Sequence, residues 1–380
     1  MVPGAHPLPA ARAHMAELQR MLEQFRSRQQ AKYGIYVEDL YTGLTVNLNG
    51  DDRYVAAGTT LFPVSLYAFY QASVGRIDLN QQVEYMPEDR TAGTGNIQNA
   101  QYGSRYTLRQ LCYHAVVDSD NVAWRMLYRT LGEPAIKAWM RSVGGKEAVS
   151  GANTAAPSDY AVYFKFLLDF AERQPGMGGV LLDWLKKSGY TTWAPRHLPP
   201  AVPTAHKIGA WPTAVNDVGI VFLPRAPYLL CVMTDLTQDQ RLGVAIDNLA
   251  HIGNMVYRHM RPQAGKFAQV SLNGRRLHMG LPGALMGGHM MARLQDMAEV
   301  LGASVEWEET SRTFTLTRGA DRVELAMDRS TFTVNGTSRS LAVAPYLFEG
   351  QPVAPLRAVA EALGARVDWD PDRCRAHITL

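Results

Sequence analysis

The sequence has no long apolar run, little charge and only 3 cysteines, and each scarcity removes a class of function. Its longest apolar stretches, 218–223 and 228–233, have the length of a strand, whereas a membrane-spanning helix needs about 20 residues. Charged residues make up 19% of the 380, and the net charge of +3 is dispersed. That leaves no basic stripe for nucleic acid and no polybasic patch for an anionic membrane. Cys112, Cys231 and Cys374 show no paired spacing and no Cys-x-x-Cys, and an odd number cannot pair completely. They read as buried free thiols packed as small apolar residues. The 10 histidines form no His-x-x-x-His and no His/Cys cluster, so neither a metal nor any other cofactor is expected. Met1–Pro9 lacks a basic start followed by an apolar core, so no secretory signal is visible there.

What is present is a 47% hydrophobic chain long enough for two or three domains. Periodicity places a helix over 10–33, with Met15, Leu18, Met21, Leu22 and Phe25 on one face and Gly34 as its stop. Strands follow at Ile35–Leu40 and Leu44–Leu48, joined by a turn at 41–43. Residues 59–73 form a helix that is apolar nearly all round, a pattern that belongs at the centre of a domain. Pro63 is tolerated near its start, where no intrahelical donor is needed. Helical patterns cover 107–131, 158–173 and 178–188, strands return at 204–210, 217–223 and 228–234, and a helix closes the segment over 240–261. Strands at both ends with helices between them predict one sheet and a helical lobe.

Three short motifs lie on this framework: Ala56-Ala57-Gly58-Thr59-Thr60-Leu61-Phe62-Pro63, then Ser119-Asp120-Asn121, then Lys207-Ile208-Gly209. Around them stand Gly34–Gly43, an apolar strand with a Thr-Gly turn, and Thr91–Gln98, which carries Gly-x-Gly-x-x-Gln. Asn216–Val221 and Pro227–Leu230 follow the third motif as paired apolar strands. In order, spacing and flanks this constellation resembles the class A β-lactamases and related penicillin-binding serine hydrolases, over residues 33–260. The resemblance implies an α/β (α+β) fold, an antiparallel sheet flanked by helices plus a helical lobe. It also implies that Gly58, Ser119 and Lys207 converge at one groove.

The same resemblance exposes a missing centre. The family's first motif reads Ser-x-x-Lys, and here Gly58 stands at the nucleophile position and Leu61 at the lysine position. By resemblance, the amides of Gly58 and Ala210 would form the oxyanion hole and Ser119 would relay a proton. Asn121 would hold a substrate amide, and Lys207, followed by Gly209, would attract a carboxylate. The deacylating glutamate of class A enzymes is not evident. Where it belongs, the chain offers Asn153–Asp159, in which Ser158 or Asp159 caps a helix. The expectation is a catalytically degenerate member, a non-catalytic cell-envelope binding protein for a carboxylate-bearing peptide or cell-wall ligand. An alternative is a noncanonical serine hydrolase acting on a β-lactam or peptide amide, using Ser119 with Lys207, or Thr59 or Thr60. A third reading is a structural module whose groove is filled by Leu61, Phe62 and Trp211. The family usually acts outside the membrane, so either a signal has been removed from the chain or this protein stays inside. His206, beside Lys207 on a strand, points to the opposite face and reads as structural.

After Arg261–Gly265 an internal repeat begins. Val270-Ser271-Leu272-Asn273-Gly274 recurs as Phe332-Thr333-Val334-Asn335-Gly336, an offset of 62, and the same offset maps Ala298–Trp307 onto Ala360–Trp369. A constant register over so many positions reads as a duplication across 266–380. Each copy predicts a hairpin with an Asn-Gly turn, a short helix ending at Leu-Gly, and a hairpin carrying Val-x-Trp. With Val353–Arg357 ahead of its helix, the second copy resembles the copper amine oxidase N-terminal-like stalk domain, a resemblance that implies no copper. Trp307 and Trp369 read first as packing residues of a small repeat, and only second as stacking platforms for a sugar. The domain organisation expected is therefore a helix over 1–32 packing on domain one, a domain over 33–261, and a two-repeat module over 266–380.

Overall fold

The computed structural model describes residues 6–146, 153–188, 192–236 and 241–380; the start of the Met1–Pro9 stretch lies outside them. The first unit contains α1 (Leu8–Arg26), β1 (Lys32–Asp39) and β2 (Thr45–Leu48), then α2 (Leu61–Ser73), α3 (Leu108–Val117), α4 (Asn121–Leu131), α5 (Glu133–Ser142), α6 (Pro157–Arg173) and α7 (Val180–Lys186). It closes with β3 (Thr204–Trp211), β4 (Ala214–Val221), β5 (Tyr228–Asp235) and α8 (Leu242–Met260). The five strands form one antiparallel sheet in the order β2-β1-β5-β4-β3.

Alternation along β5 shows how the sheet is buried on both faces. Tyr228, Leu230 and Val232 join a core with Leu18 and Leu22 of α1 and Leu249 and Val256 of α8. Leu229, Cys231 and Met233 point the other way, into the core of the helical lobe. At the centre of that lobe sits α2, with residues 61–69 all buried.

Three elements depart from their sequence patterns. The first helix ends at Arg26, and Gly34 lies within β1. A Cβ at Gly34 would stand 2.6 Å from the Tyr54 ring, so this glycine permits a close approach and is not a helix stop. The helical stretch over 107–131 breaks into α3 and α4 at Ser119, whose φ of 55° is left-handed. Strand β4 begins at Ala214, three residues before its sequence pattern, because Trp211 and Ala214 already pair across the β3–β4 turn.

The second unit comprises β6 (Phe267–Leu272), β7 (Arg275–Leu277), β8 (Gly283–Met286), β9 (His289–Arg293), α9 (Leu294–Leu301), β10 (Ser304–Glu308), β11 (Thr313–Arg318) and β12 (Asp321–Ala326). It continues as β13 (Thr331–Val334), β14 (Thr337–Ser340), β15 (Tyr346–Phe348), β16 (Gln351–Pro355), α10 (Leu356–Ala362), β17 (Arg366–Asp370) and β18 (Arg375–Thr379). One sheet runs β15-β16-β9-β8-β6-β18-β17 with β7 beside β6, and another runs β10-β11-β12-β13-β14. Both Asn-Gly turns take left-handed backbone, at φ 48° and 82° for Asn273 and Gly274 and at 49° and 78° for Asn335 and Gly336. Where β9 meets β16, Ala292 pairs with Ala354, the residue 62 positions on.

The two units are joined by polar contacts. On α6, Glu172 accepts from Arg375 at 2.8 Å and from Arg276 at 3.1 Å. Gln269 donates to the Leu40 carbonyl at 3.0 Å, and Arg12 pairs with Glu349. An apolar seam of Leu8 and Ala11 against Phe267, Phe348 and Val353 completes the junction.

Candidate functional site

The site lies where the lobe meets β3, and it is built by close backbone approaches. Glycine at 209 is required by space, since a Cβ there would stand 2.7 Å from the Ala56 carbonyl and 2.8 Å from the Gly58 amide. The turn ahead of α2 is pinned by two asparagines. Asn216 on β4 donates to the carbonyls of Val55 at 2.8 Å and Ala56 at 3.2 Å, and its own oxygen accepts from the Thr234 amide at 3.0 Å. Asn153 donates to the Ala57 carbonyl at 3.1 Å, and its carbonyl accepts from the Ala56 amide at 2.9 Å.

Gly58 stands in the short 3₁₀ turn Ala57–Thr60 that leads into α2. A Cβ added to it would lie 3.4 Å from Ser119 Oγ and 3.1 Å from the Ile208 carbonyl. A side chain at this position would therefore point at the serine of the second motif and the backbone of the third. Leu61, one turn on, is 2% exposed and belongs to the lobe core, as does Phe62, which stacks on Phe164 at 4.4 Å.

The second motif is held by the glycine loop before it. Asp120 caps α4 through the Ala123 amide at 2.9 Å and also accepts from the Ile97 amide at 2.9 Å. Gly95, at φ 99°, passes so close that a Cβ would meet Asp120 Cγ at 2.1 Å. Gly93, at φ 129°, approaches Asn121 in the same way. The Asn121 side chain donates to the Ala92 carbonyl at 3.2 Å, and the Thr94 hydroxyl donates to the carbonyl of Ser119.

Lys207 is 1% exposed, and its ammonium donates to Ser119 Oγ at 2.8 Å and to the Ile208 carbonyl at 3.1 Å. Burial pulls its pKa down to about 7, against a smaller opposing pull from the Asp217 charge. Thus Gly58, Ser119, Lys207 and Gly209 meet at one point, while Asn121, at the start of α4, turns its side chain to the glycine loop. Ala210 is exposed at the end of β3, followed by Trp211 at 60% exposure, so Trp211 does not fill the groove.

The two threonines after Gly58 are turned away from this point. Thr59 is fully buried; its hydroxyl bonds to the Ala56 carbonyl at 2.6 Å and to the Tyr160 hydroxyl at 2.5 Å. Burial raises the Tyr160 phenol, so it cannot act as a base near neutral pH. The Thr60 hydroxyl donates to the Ala57 carbonyl at 3.3 Å. In the segment where a deacylating glutamate would lie, Asp159 accepts from the Ala156 amide at 3.1 Å at the start of α6, and Ser158 bonds to Asp51 at 2.7 Å. His206 points to the other face of β3 and bonds to Asp217 at 2.8 Å.

Asn216, Asn153 and Tyr160 carry no motif in the sequence that marks them as supports of the site. A buried asparagine in an otherwise apolar strand was the one available signal, because such an amide must be fully bonded. The roles of Asn153 and Tyr160 depend on contacts about 100 residues away along the chain, which no local pattern carries.

In comparisons with known proteins, residues 14–260 match a family described as the beta-lactamase enzyme family, and residues 271–378 match the copper amine oxidase N-terminal domain. Among the described residues no group of three His, Cys, Asp or Glu side chains is placed to hold a metal ion. The chain is 26% identical over 266 residues to beta-lactamase ROB-1 of Haemophilus influenzae, covering 63% of this chain and 85% of the relative. It is 25% identical over 259 residues to a beta-lactamase of Mycobacterium tuberculosis, covering 61% and 82%. Among solved structures it resembles a PBP-A mutant captured as an acyl-enzyme complex with penicillin G, at a TM-score of 0.60 and 25% identity, covering 64% of this chain and 96% of that one. Among the described residues no helix is long and apolar enough to cross a membrane.

Proposed function

Given that the chain belongs to the beta-lactamase enzyme family, we propose that it is a catalytically degenerate member that binds a carboxylate-bearing ligand without forming an acyl-enzyme. The observation that carries this reading is the vacancy at Gly58: its Cβ direction aims at Ser119 Oγ, 3.4 Å away, and no hydroxyl stands on it. Acylation needs an oxygen nucleophile at that place and a base within hydrogen-bond reach. Leu61 supplies no base, and the hydroxyls of Thr59 and Thr60 are bonded to their own turn. Loss of a serine nucleophile costs on the order of a million-fold in rate. Binding survives that loss, because Lys207 and the backbone amides act on a carboxylate or carbonyl without bond-making.

One observation favours the alternative of a noncanonical hydrolase. Lys207, with its pKa near 7, is partly a free base at neutral pH and touches Ser119. Against it, Ser119 Oγ lies 3.4 Å from where a Gly58 Cβ would stand, so its oxygen is not at the place ahead of α2 that the family's nucleophile takes. The second unit we read as a duplicated stalk that holds the binding unit at the cell envelope.

Calorimetric titration with penicillin G tests the binding reading. Weak, reversible, salt-sensitive binding that Lys207→Ala reduces is expected. Binding that ignores both salt and Lys207 would contradict the proposed carboxylate contact.

A further inference from the structure

The two tryptophans of the second unit stand 62 residues apart but in unlike surroundings. On β10, Trp307 pairs across the strand with Phe314 of β11, and their rings lie 4.2 Å apart at 32°. On β17, Trp369 pairs in the same register with Ala376 of β18. The ring that covers the first indole is thus reduced to a methyl group at the second. Where the ring is missing, a groove of about 460 Å³ opens, within the range of small-ligand sites. Leu285, Met290, Leu341 and Leu356 line it together with Trp369, whose overall exposure of 37% is close to the 39% of Trp307, so the two indoles differ in what they face and not in how much they expose. No aromatic ring stacks on Trp369 among the described residues.

Charge at the mouth differs between the halves as well. Arg357 and Glu361, one turn apart on α10, both line the groove. They form a half-exposed ion pair 4.0 Å apart, longer than a hydrogen bond, which a ligand with both charges could exchange for two contacts of its own. The corresponding residues of the first half are Gln295 and Glu299, so at these two positions the second half alone carries opposite charges. A ring pocket beneath an adjacent guanidinium and carboxylate is complementary to a ring that carries its own carboxylate and ammonium.

We propose that this groove binds a zwitterionic aromatic α-amino acid, its ring stacked on Trp369 in the place Phe314 takes against Trp307, its carboxylate on Arg357 and its ammonium on Glu361. Offset or tilted stacking on an indole supplies the affinity of the ring. The planar guanidinium supplies the fork that a carboxylate accepts.

The test is fluorine NMR of the full chain labelled with 5-fluorotryptophan, the Trp369 resonance being assigned from Trp369→Phe. Titration with L-phenylalanine should shift that resonance saturably and leave Trp307 unmoved. N-acetyl-L-phenylalaninamide, which keeps the ring and loses both charges, should bind about tenfold or more weakly. Ala376→Phe should fill the slot from within and abolish the shift. Because Ala376 is buried and that variant could fail to fold, Arg357→Gln serves beside it, expected to weaken phenylalanine while leaving the capped amide unchanged. No saturable shift with phenylalanine would overturn the proposal. So would equal binding of the capped amide, a shift that persists in folded Ala376→Phe, or a response to N,N′-diacetylchitobiose in place of phenylalanine.

Discussion

Lys207 Nζ lies 2.8 Å from Ser119 Oγ, and the second acceptor it reaches, the Ile208 carbonyl, is also neutral. A buried ammonium without a partnering carboxylate is held at a cost, which is why its pKa falls to about 7. The unfolded chain binds this proton up to a pH near 10.5 and the folded chain releases it near 7, so the unfolded state holds more protons across that window. Stability therefore rises with pH between those values, by at most about 1.4 kcal/mol per unit, and the penalty is fully present below pH 7. In urea melts from pH 6 to 10, the difference between wild type and Lys207→Met should shift towards wild type as pH rises. Parallel curves would show that Lys207 stays charged.

Restoring the motif should restore chemistry in part and at a cost. Gly58→Ser sets a Cβ 3.1 Å from the Ile208 carbonyl, so the turn must yield by a few tenths of an ångström. Leu61→Lys places an ammonium in the lobe core, a cost on the order of several kcal/mol if it finds no partner. The double variant should melt lower than wild type and acquire a slow penicillin adduct by mass spectrometry, whereas Gly58→Ser alone, left with Lys207 behind Ser119 as its base, should acquire less. A folded double variant with no adduct would show that the groove departs from its family in more than these two residues.

The glycine loop that packs on the second motif should tolerate no side chain. Gly95→Ala combines φ 99° with a Cβ 2.1 Å from Asp120, and should destabilise by about 3 kcal/mol or more. Asp120→Ala removes a helix cap and strands the Ile97 amide, for about 2–3 kcal/mol. Denaturant unfolding measures both. A loss under about 1 kcal/mol in either would mean the loop is looser than its contacts imply.

At the junction of the two units, Glu172→Ala leaves the heads of Arg276 and Arg375 without their carboxylate. Breaking one side of a fully buried ion pair costs about 3–5 kcal/mol, and less is expected here because Glu172 and Arg276 are partly exposed; apolar replacement of all three is close to neutral. Limited proteolysis across 261–266 should therefore quicken in Glu172→Ala and return towards wild type in a Glu172→Leu, Arg276→Met, Arg375→Met variant. Equal rates in all three proteins would show that the apolar seam holds the units together by itself.

Much of this was legible in the sequence where a side chain has one possible neighbourhood. The all-round apolar pattern of α2, the continuous apolar run of β5 and the order of the three motifs all follow from local pattern. Turns were less legible, because their determinants act at a distance. The break between α3 and α4 is a single left-handed serine whose carbonyl is held by Thr94, 25 residues earlier. Gly34 reads as a helix stop in sequence but is a glycine because the Tyr54 ring crosses it. Gly209 by its close approach and Asn216 by its side-chain amide meet the backbone of the turn before α2, contacts that appear only once the lobe has folded onto the sheet.

The central claim is that no covalent acyl-enzyme forms. Intact-protein mass spectrometry of the unaltered chain after prolonged incubation with excess penicillin G tests it most directly. The account predicts the unmodified mass alone, with the antibiotic still intact in solution beyond its background hydrolysis. A stoichiometric adduct would contradict it, and peptide mapping of that adduct to Ser119, or to Thr59 or Thr60, would identify the residue that had taken the place vacant at Gly58.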